Sequence, residues 1–153
     1  MSDSRRTGLR RSEVTRRLGE LAEFRYQLRR YINFSEAAAE AVGVQGQQYQ
    51  MMQVVGTVAE GAQATISYVA ERMVLRHNSA VELVDRAARA GLVQRIADAV
   101  DHRKSVVELT ERGRDLLLQL AELHILELER VGPKIAQAMA DAVGAQAVRG
   151  PKL

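Results

Sequence analysis

The chain has no cysteine and no tryptophan, and its 153 residues include only two prolines. Without cysteine there is no disulfide framework, no thiolate metal cluster and no thiol redox trigger. Aromatic residues make up 4% of the chain, so the core must come from Leu, Val, Ala, Ile and Met. No apolar run approaches the ~20 residues of a membrane span. The opening MSDSRRTGLRRSEV lacks the apolar segment of a secretory signal. No membrane partner is expected, and a cytoplasmic location is. The three histidines, His77, His102 and His124, fall at no metal-ligand spacing, so no metal site is expected. There is no nucleophile elbow, no P-loop and no Gly-rich dinucleotide turn, so neither an enzyme nor a cofactor is expected.

What is present is helix-forming and basic. Ala, Leu, Glu, Arg and Gln dominate, which favours helix. The net charge is +3, and nine arginines lie in the first thirty residues. A second basic group is Arg76, Arg86, Arg89, Arg95, Arg103 and Lys104. Charge alone is equally compatible with a merely solvated surface; its placement carries more weight.

Along the chain, residues 1–11 read as a polar, disordered arm. From the N-cap Ser12 a long helix is expected to about Val42, with Val14, Leu18, Leu21, Leu28, Ile32, Ser35, Ala39 and Val42 facing inward and Arg25 interrupting them. Thirty residues span ~45 Å, too long for one small core, so part of its apolar surface should meet a second subunit. Phe24, Tyr31, Phe34 and Ala38 form a second partial stripe. A second helix follows, about Gln47–Thr57. Thr65 caps a short helix, Ile66–Met73. A turn, Val74–Asn78, leads into a helix to Ala90, with Asn78 a candidate N-cap and Gly91 a left-handed stop. The period then changes to β-type runs, Leu92–Ile96 and Ser105–Leu109, around a charged loop. Thr110 caps a leucine-rich helix. Gly132-Pro133 should end it and open a last helix, Lys134 to about Val148, before a frayed tail at Arg149–Leu153. Two short helices followed by a charged hairpin suit duplex DNA: a helix for the major groove and a loop for its neighbour.

Two segments carry a resemblance. VAERMVLRHNSAVELVDRAARAGLVQR is similar to the reading-head pattern of the MarR family of transcription regulators, an LAxxL helix, a turn, then LVDRLexxGLVxR. DHRKSVVELTERG resembles that family's wing signature, with Asp101, Arg103, Leu109, Thr110 and Gly113 at the matching positions. The chain departs from the pattern at Glu82, where a basic or polar residue is common, and at Ala99, where a proline is.

The resemblance implies a mainly α fold with a small β-hairpin wing: a winged helix-turn-helix head over 46–109 and a helical dimerisation lobe over 12–45 and 110–153. It implies a homodimer on double-stranded DNA with a pseudo-palindromic operator, a repressor released by a small-molecule effector. Arg76, His77, Asn78 and Ser79 would open the recognition helix, where Arg suits guanine and Asn adenine. Glu82 can accept from cytosine or repel phosphate, and Arg86 supports structure or touches phosphate. Arg103 would enter a minor groove, oriented by Asp101 through a charge-assisted hydrogen bond, with His102 and Lys104 beside it. Tyr26, Arg30, Tyr49 and Met52 are candidates for a small aromatic or anionic effector. His124, within the apolar helix, reads first as a hydrogen-bonded, partly buried residue. The competing readings are a helical protein-interaction module and a constitutive architectural DNA-binding protein without a ligand.

Overall fold

The computed structural model describes residues 8–144. They form α1 (Arg11–Ala41), α2 (Gly46–Gly56), α3 (Ile66–Met73), α4 (His77–Arg89), β1 (Val93–Ala97), β2 (Ser105–Leu109) and α5 (Glu111–Val143). The expected class, mainly helical with a small hairpin, holds. The first residues of the expected arm, 1–7, and the tail from 145 lie outside the described residues.

The chain divides into two compact units, one of residues 34–126 and one joining 1–33 to 127–153. The first holds a continuous apolar core in which Val44, Met51, Met52, Val69, Leu83, Val84, Leu92, Val107 and Leu120 are all buried. Two strands alone are marginal, and this hairpin is anchored through Val93, Val106, Val107 and Leu109. β1 and β2 pair antiparallel, Val93 opposite Leu109 and Ala97 opposite Ser105. A further bridge joins Thr65 to Val106, and the Val107 N–H donates to the Ala64 carbonyl at 2.8 Å.

The entry to α5 explains the Leu-Thr-x-x-Gly motif. The Thr110 hydroxyl accepts from the Gly113 N–H at 3.0 Å, capping the helix, and lies 2.6 Å from the Gly91 carbonyl. The first turn of α5 thereby presses on the start of the hairpin. A Cβ on Gly113 would fall 1.9 Å from the Leu92 carbonyl oxygen, so no larger residue fits there. Gly91 takes φ +74, the left-handed stop expected after α4.

The second unit differs from expectation in two ways. On α1, Val14, Leu18, Leu21 and Ile32 are exposed, although their spacing reads as inward. The less exposed face is instead Glu13, Arg17, Glu20, Phe24, Leu28 and Tyr31. Here Arg17 donates to the Ala142 carbonyl and lies 3.8 Å from Glu13, giving the last turn of α5 a cation that its own sequence lacks. α5 also runs without the expected break, Pro133 included. A proline removes one hydrogen bond and costs about 3 kcal/mol; burial on both sides of it, at Leu120 and His124 before and Ala138 after, outweighs that loss.

Candidate nucleic-acid interface

α3 and α4 form a helix-turn-helix pair, and their caps set its geometry. Thr65 caps α3 by accepting from the Tyr68 N–H at 3.1 Å. The chain leaves α3 through Val74, a left-handed β-branched residue at φ 54. Arg76 is then extended, and its carbonyl already accepts from the Ala80 N–H at 3.0 Å. α4 thus begins at His77, one residue before the expected start. Asn78 lies inside the first turn and is not the cap; its amide is not committed to a helix end.

At 3.6 residues per turn, α4 has three faces. Ala80, Leu83, Val84 and Ala87 are buried. Asn78, Ser79, Glu82, Arg86 and Arg89 share the exposed outer face, while Arg76 is exposed just ahead of it. His77, Val81 and Asp85 form a flank turned toward the hairpin.

The wing is built by short carboxylates. The Asp98 carboxylate accepts from the Val100 N–H at 2.8 Å and the Asp101 N–H at 3.1 Å. Those two bonds, helped by the charges of Lys104 and His102, hold the Asp98 carboxyl below its ordinary range. Asp101 accepts from the main-chain N–H of Arg103 at 3.0 Å. The expected orienting bond from Asp101 to the Arg103 side chain is therefore replaced by a turn-forming one, because a short acid reaches the amide two residues on. In the loop that Asp98 and Lys104 close, Val100 is 94% exposed, and His102, Arg103 and Lys104 are exposed after it.

Arg95 is the residue that sequence reasoning left among general basic groups. From β1 it donates to Asp85 of α4 at 2.8 Å and to the Ser105 hydroxyl of β2 at 3.2 Å. It ties the recognition helix to both strands of the wing. The signal was available: Asp85 and Arg95 are the Asp and the last Arg of the LVDR…GLVQR segment. Beside this bridge lies a cleft of about 260 Å³, lined by Ser67, His77, Val81, Arg95, Arg103 and Lys104 among others. Residues 26 positions apart in sequence, His77 and Arg103, are thus brought to one concavity.

The four effector candidates fall in different surroundings. Arg30 stacks over the exposed Tyr26 ring at 5.7 Å. Tyr49 and Met52 are fully buried in the core of residues 34–126. Tyr49 stacks on His124 with ring centres 4.5 Å apart. His124 is buried, with Nδ1 2.6 Å from the Leu120 carbonyl and Nε2 2.7 Å from the Ser35 hydroxyl. The carbonyl can only accept, so Nδ1 donates to it, while Nε2 pairs with the Ser35 hydroxyl. His124 is the satisfied core histidine. Among the described residues no group of three or more His, Asp or Glu side chains is arranged to hold a metal ion. None of the described helices is long and apolar enough to cross a membrane.

A family model described as "ArnR1-like, winged-helix domain" matches residues 46–127, more than half of the chain. The chain belongs to that winged-helix family. No curated protein matches it. Among solved structures, the MarR family transcriptional regulator AbsC from Streptomyces coelicolor is similar at TM-score 0.69 and 20% identity, covering 94% of this chain and 99% of that one. A mutant of MepR from S. aureus, bound to an oligodeoxyribonucleotide, aligns at TM-score 0.61 and 15% identity over 82% of this chain and 91% of its own. CouR from Rhodococcus jostii, bound to p-coumaroyl-CoA, aligns at TM-score 0.59 and 24% identity over 80% and 86%. This winged-helix chain therefore has the fold of the MarR-family regulators, as the reading-head and wing segments implied.

Proposed function

We propose that this chain is a transcription regulator that binds duplex DNA in a sequence-specific way as a homodimer. The observation that carries the reading is the outer face of α4. Asn78, Ser79, Glu82 and Arg86 share one exposed face, on a helix that Arg95 fixes to a basic wing. Such a face places hydrogen-bonding groups of four chemistries against base edges in a major groove, with the wing along the adjacent backbone. The MepR structure, which holds an oligodeoxyribonucleotide on a similar fold, agrees with this.

The dimer is supported by the exposed Val14, Leu18, Leu21 and Ile32 of α1 and Leu128, Met139 and Val143 of α5. Two heads of one dimer would meet half-sites about one helical turn apart, and a repressor would let go when an effector changes their spacing. Tyr26, Arg30, Tyr49 and Met52 are the residues to test for such an effector, a small aromatic or anionic compound. The CoA thioester on CouR favours this class of ligand. The setting is the cytoplasm, where the DNA is.

Selection of bound duplexes from a random pool tests the reading, repeated with mixtures of small acids. Enrichment of one pseudo-palindrome, with affinity falling steeply with salt, is the expected result. Binding without an enriched sequence would make the chain an architectural DNA-binding protein. Binding to no duplex at all would leave a helical interaction module.

A further inference from the structure

We propose that charge selects the partner of this chain: Arg25 and Arg29, on an exposed apolar seam of α1, meet Glu122 and Glu129, on an exposed apolar seam of α5, in a second copy of the same chain. The proposal rests on the dimer in the reading above. It adds which seams meet and which side chains decide what is accepted.

The seam on α1 is apolar and basic. Val14, Leu18, Leu21, Arg25, Leu28 and Ile32 step alternately by four and three residues, the spacing of a coiled-coil stripe. Val14, Leu18, Leu21 and Ile32 are exposed. Arg25 stands within the stripe and Arg29 one turn further on, and both are exposed. The acids of α1 are placed elsewhere. Glu13 lies by Arg17 and Glu23 accepts from Gln27. Glu20 is on the less exposed side, and Glu36 and Glu40 come after Ile32.

The seam on α5 is apolar and acidic. Leu118, Ile125, Leu128, Met139 and Val143 are exposed and share one side of the helix at 3.6 residues per turn. Glu122 and Glu129, seven residues apart, run along the edge of that side and are exposed. The bases of α5 do not offset them. Arg130 is bound to Glu127 at 2.7 Å, Arg114 comes a turn before Leu118, and Lys134 projects from another side.

Among the described residues, Arg25, Arg29, Glu122 and Glu129 form no ion pair. Each seam therefore offers a surface and a sign that its own chain leaves unmatched. Packing α1 on α1 would bring Arg25 and Arg29 towards their own kind, and packing α5 on α5 would do so for Glu122 and Glu129; like charges across a contact suppress it. Packing α1 on α5 matches stripe with stripe and sign with sign. A two-fold axis makes that contact twice, because every copy brings one seam of each kind. Arg25 is the most selective of the four. A cation inside an apolar stripe must find a carboxylate when the stripe is covered, so a chain without an acid at that register is refused.

The test measures the dimer dissociation constant of the full-length chain by sedimentation, at low and at high salt. Three variants are compared with the wild type: Arg25→Glu with Arg29→Glu, Glu122→Lys with Glu129→Lys, and a chain carrying all four changes. Each pair alone sets like charges against each other in both contacts, so the dissociation constant should rise ~100-fold or more at low salt and by less at high salt. The chain with all four changes should return to within ~10-fold of the wild type, because the signs are then exchanged and matched again. An equimolar mixture of the two pair variants should form a heterodimer that neither variant forms with itself. Far-UV helix content equal to the wild type's excludes unfolding of the pair variants. If the chain with four changes loses helix, the mixture decides alone. Pair variants that dimerise as the wild type does would overturn the charge selection while leaving the dimer standing. Pair variants that dissociate, with recovery neither in the chain with four changes nor in the mixture, would show that the two seams do not meet and would also overturn it. A monomeric wild type would remove the dimer from the functional reading, and this proposal with it.

Discussion

The two units bury their apolar residues very differently. Residues 34–126 hold a core of some twenty buried side chains, from Ala39 to Leu120. In the unit that joins 1–33 to 127–153, Ala138 is the one hydrophobic residue among those described that is buried, while Val14, Leu18, Leu21, Ile32, Leu128 and Met139 are exposed. The first unit covers most of its apolar side chains, leaving Leu118, Leu123, Ile125 and Leu126 exposed at its α5 end. The second carries the chemistry of a core without the burial of one, which is the ground of the proposed subunit contact. One consequence is that damage in each should be read by a different instrument.

The largest effect is expected in the exposed unit. Leu18→Glu with Leu21→Glu removes two leucines from the proposed subunit contact. Each buried leucine stabilises by about 1.5–3 kcal/mol, so together about 3–6 kcal/mol are lost, or ~100- to 10,000-fold in the dimer dissociation constant. Sedimentation should show a monomer at concentrations where the parent is a dimer, with helix content in the head retained. An unchanged molar mass would break the contrast.

In the better covered unit the corresponding change is Leu83→Ala. Leu83 is fully buried on α4, and such truncations cost about 2–5 kcal/mol. Here the denaturant midpoint should fall while the sedimenting mass stays that of the parent. A mass change in this variant, with no loss of stability, would show that the head's core and the subunit contact are not separate things.

How much of this was legible in the sequence follows the range of the interactions. The caps at Thr65 and Thr110, the stop at Gly91 and the two β-type runs depend on residues a few positions apart, and they read correctly. The face of α1 did not. An apolar stripe marks a side that avoids water but does not say what covers it; Glu13, Arg17 and Glu20 lie on the less exposed side because Arg17 meets the end of α5, 125 residues away. Pro133 misled for the same reason: local chemistry forecasts a break, and packing along a thirty-three-residue helix overrides it. The cap falls on Arg76, two residues before Asn78, because the turn before it leaves Arg76 extended. The pairing of Asp85 with Arg95, and the meeting of His77 with Arg103, exist only once the hairpin folds back on α4.

A smaller and opposite effect is expected at Val74. Its φ of 54 is costly for a β-branched side chain, about 1–2 kcal/mol, and at 92% exposure its side chain contributes little packing. Val74→Gly removes the strain but gives the unfolded chain more freedom, so a net gain of about 0.5–1 kcal/mol is expected. For a chain of this length that is roughly 1–4 °C in the melting midpoint. Loss of stability would mean that Val74 packs against something absent from the single chain, and would weaken the claim that the head covers its own core.

The smallest effect is confined to the wing and is read by pH. Asp98 accepts from the Val100 and Asp101 amides, and these bonds hold its carboxyl below the ordinary aspartate value of 3.8. A folded-state pKa below the unfolded one means that the carboxylate favours the folded turn. That contribution is fully present above pH 3.8 and is lost as pH falls through the lower folded value. From neutrality down to about pH 4 the two amide bonds to the Asp98 carboxylate should therefore be retained. Below it, the amide resonances of Val100 and Asp101 should move together, with a midpoint under 3.8, ahead of any change in Leu83 or Leu92. Asp98→Asn keeps an acceptor oxygen but cannot titrate, so it should abolish this transition and leave the neutral-pH turn largely in place. A midpoint at or above the ordinary carboxylate range would mean that the two amide bonds do not hold the tip. Movement of the core amides over the same range would mean that the wing is no separate element of the head.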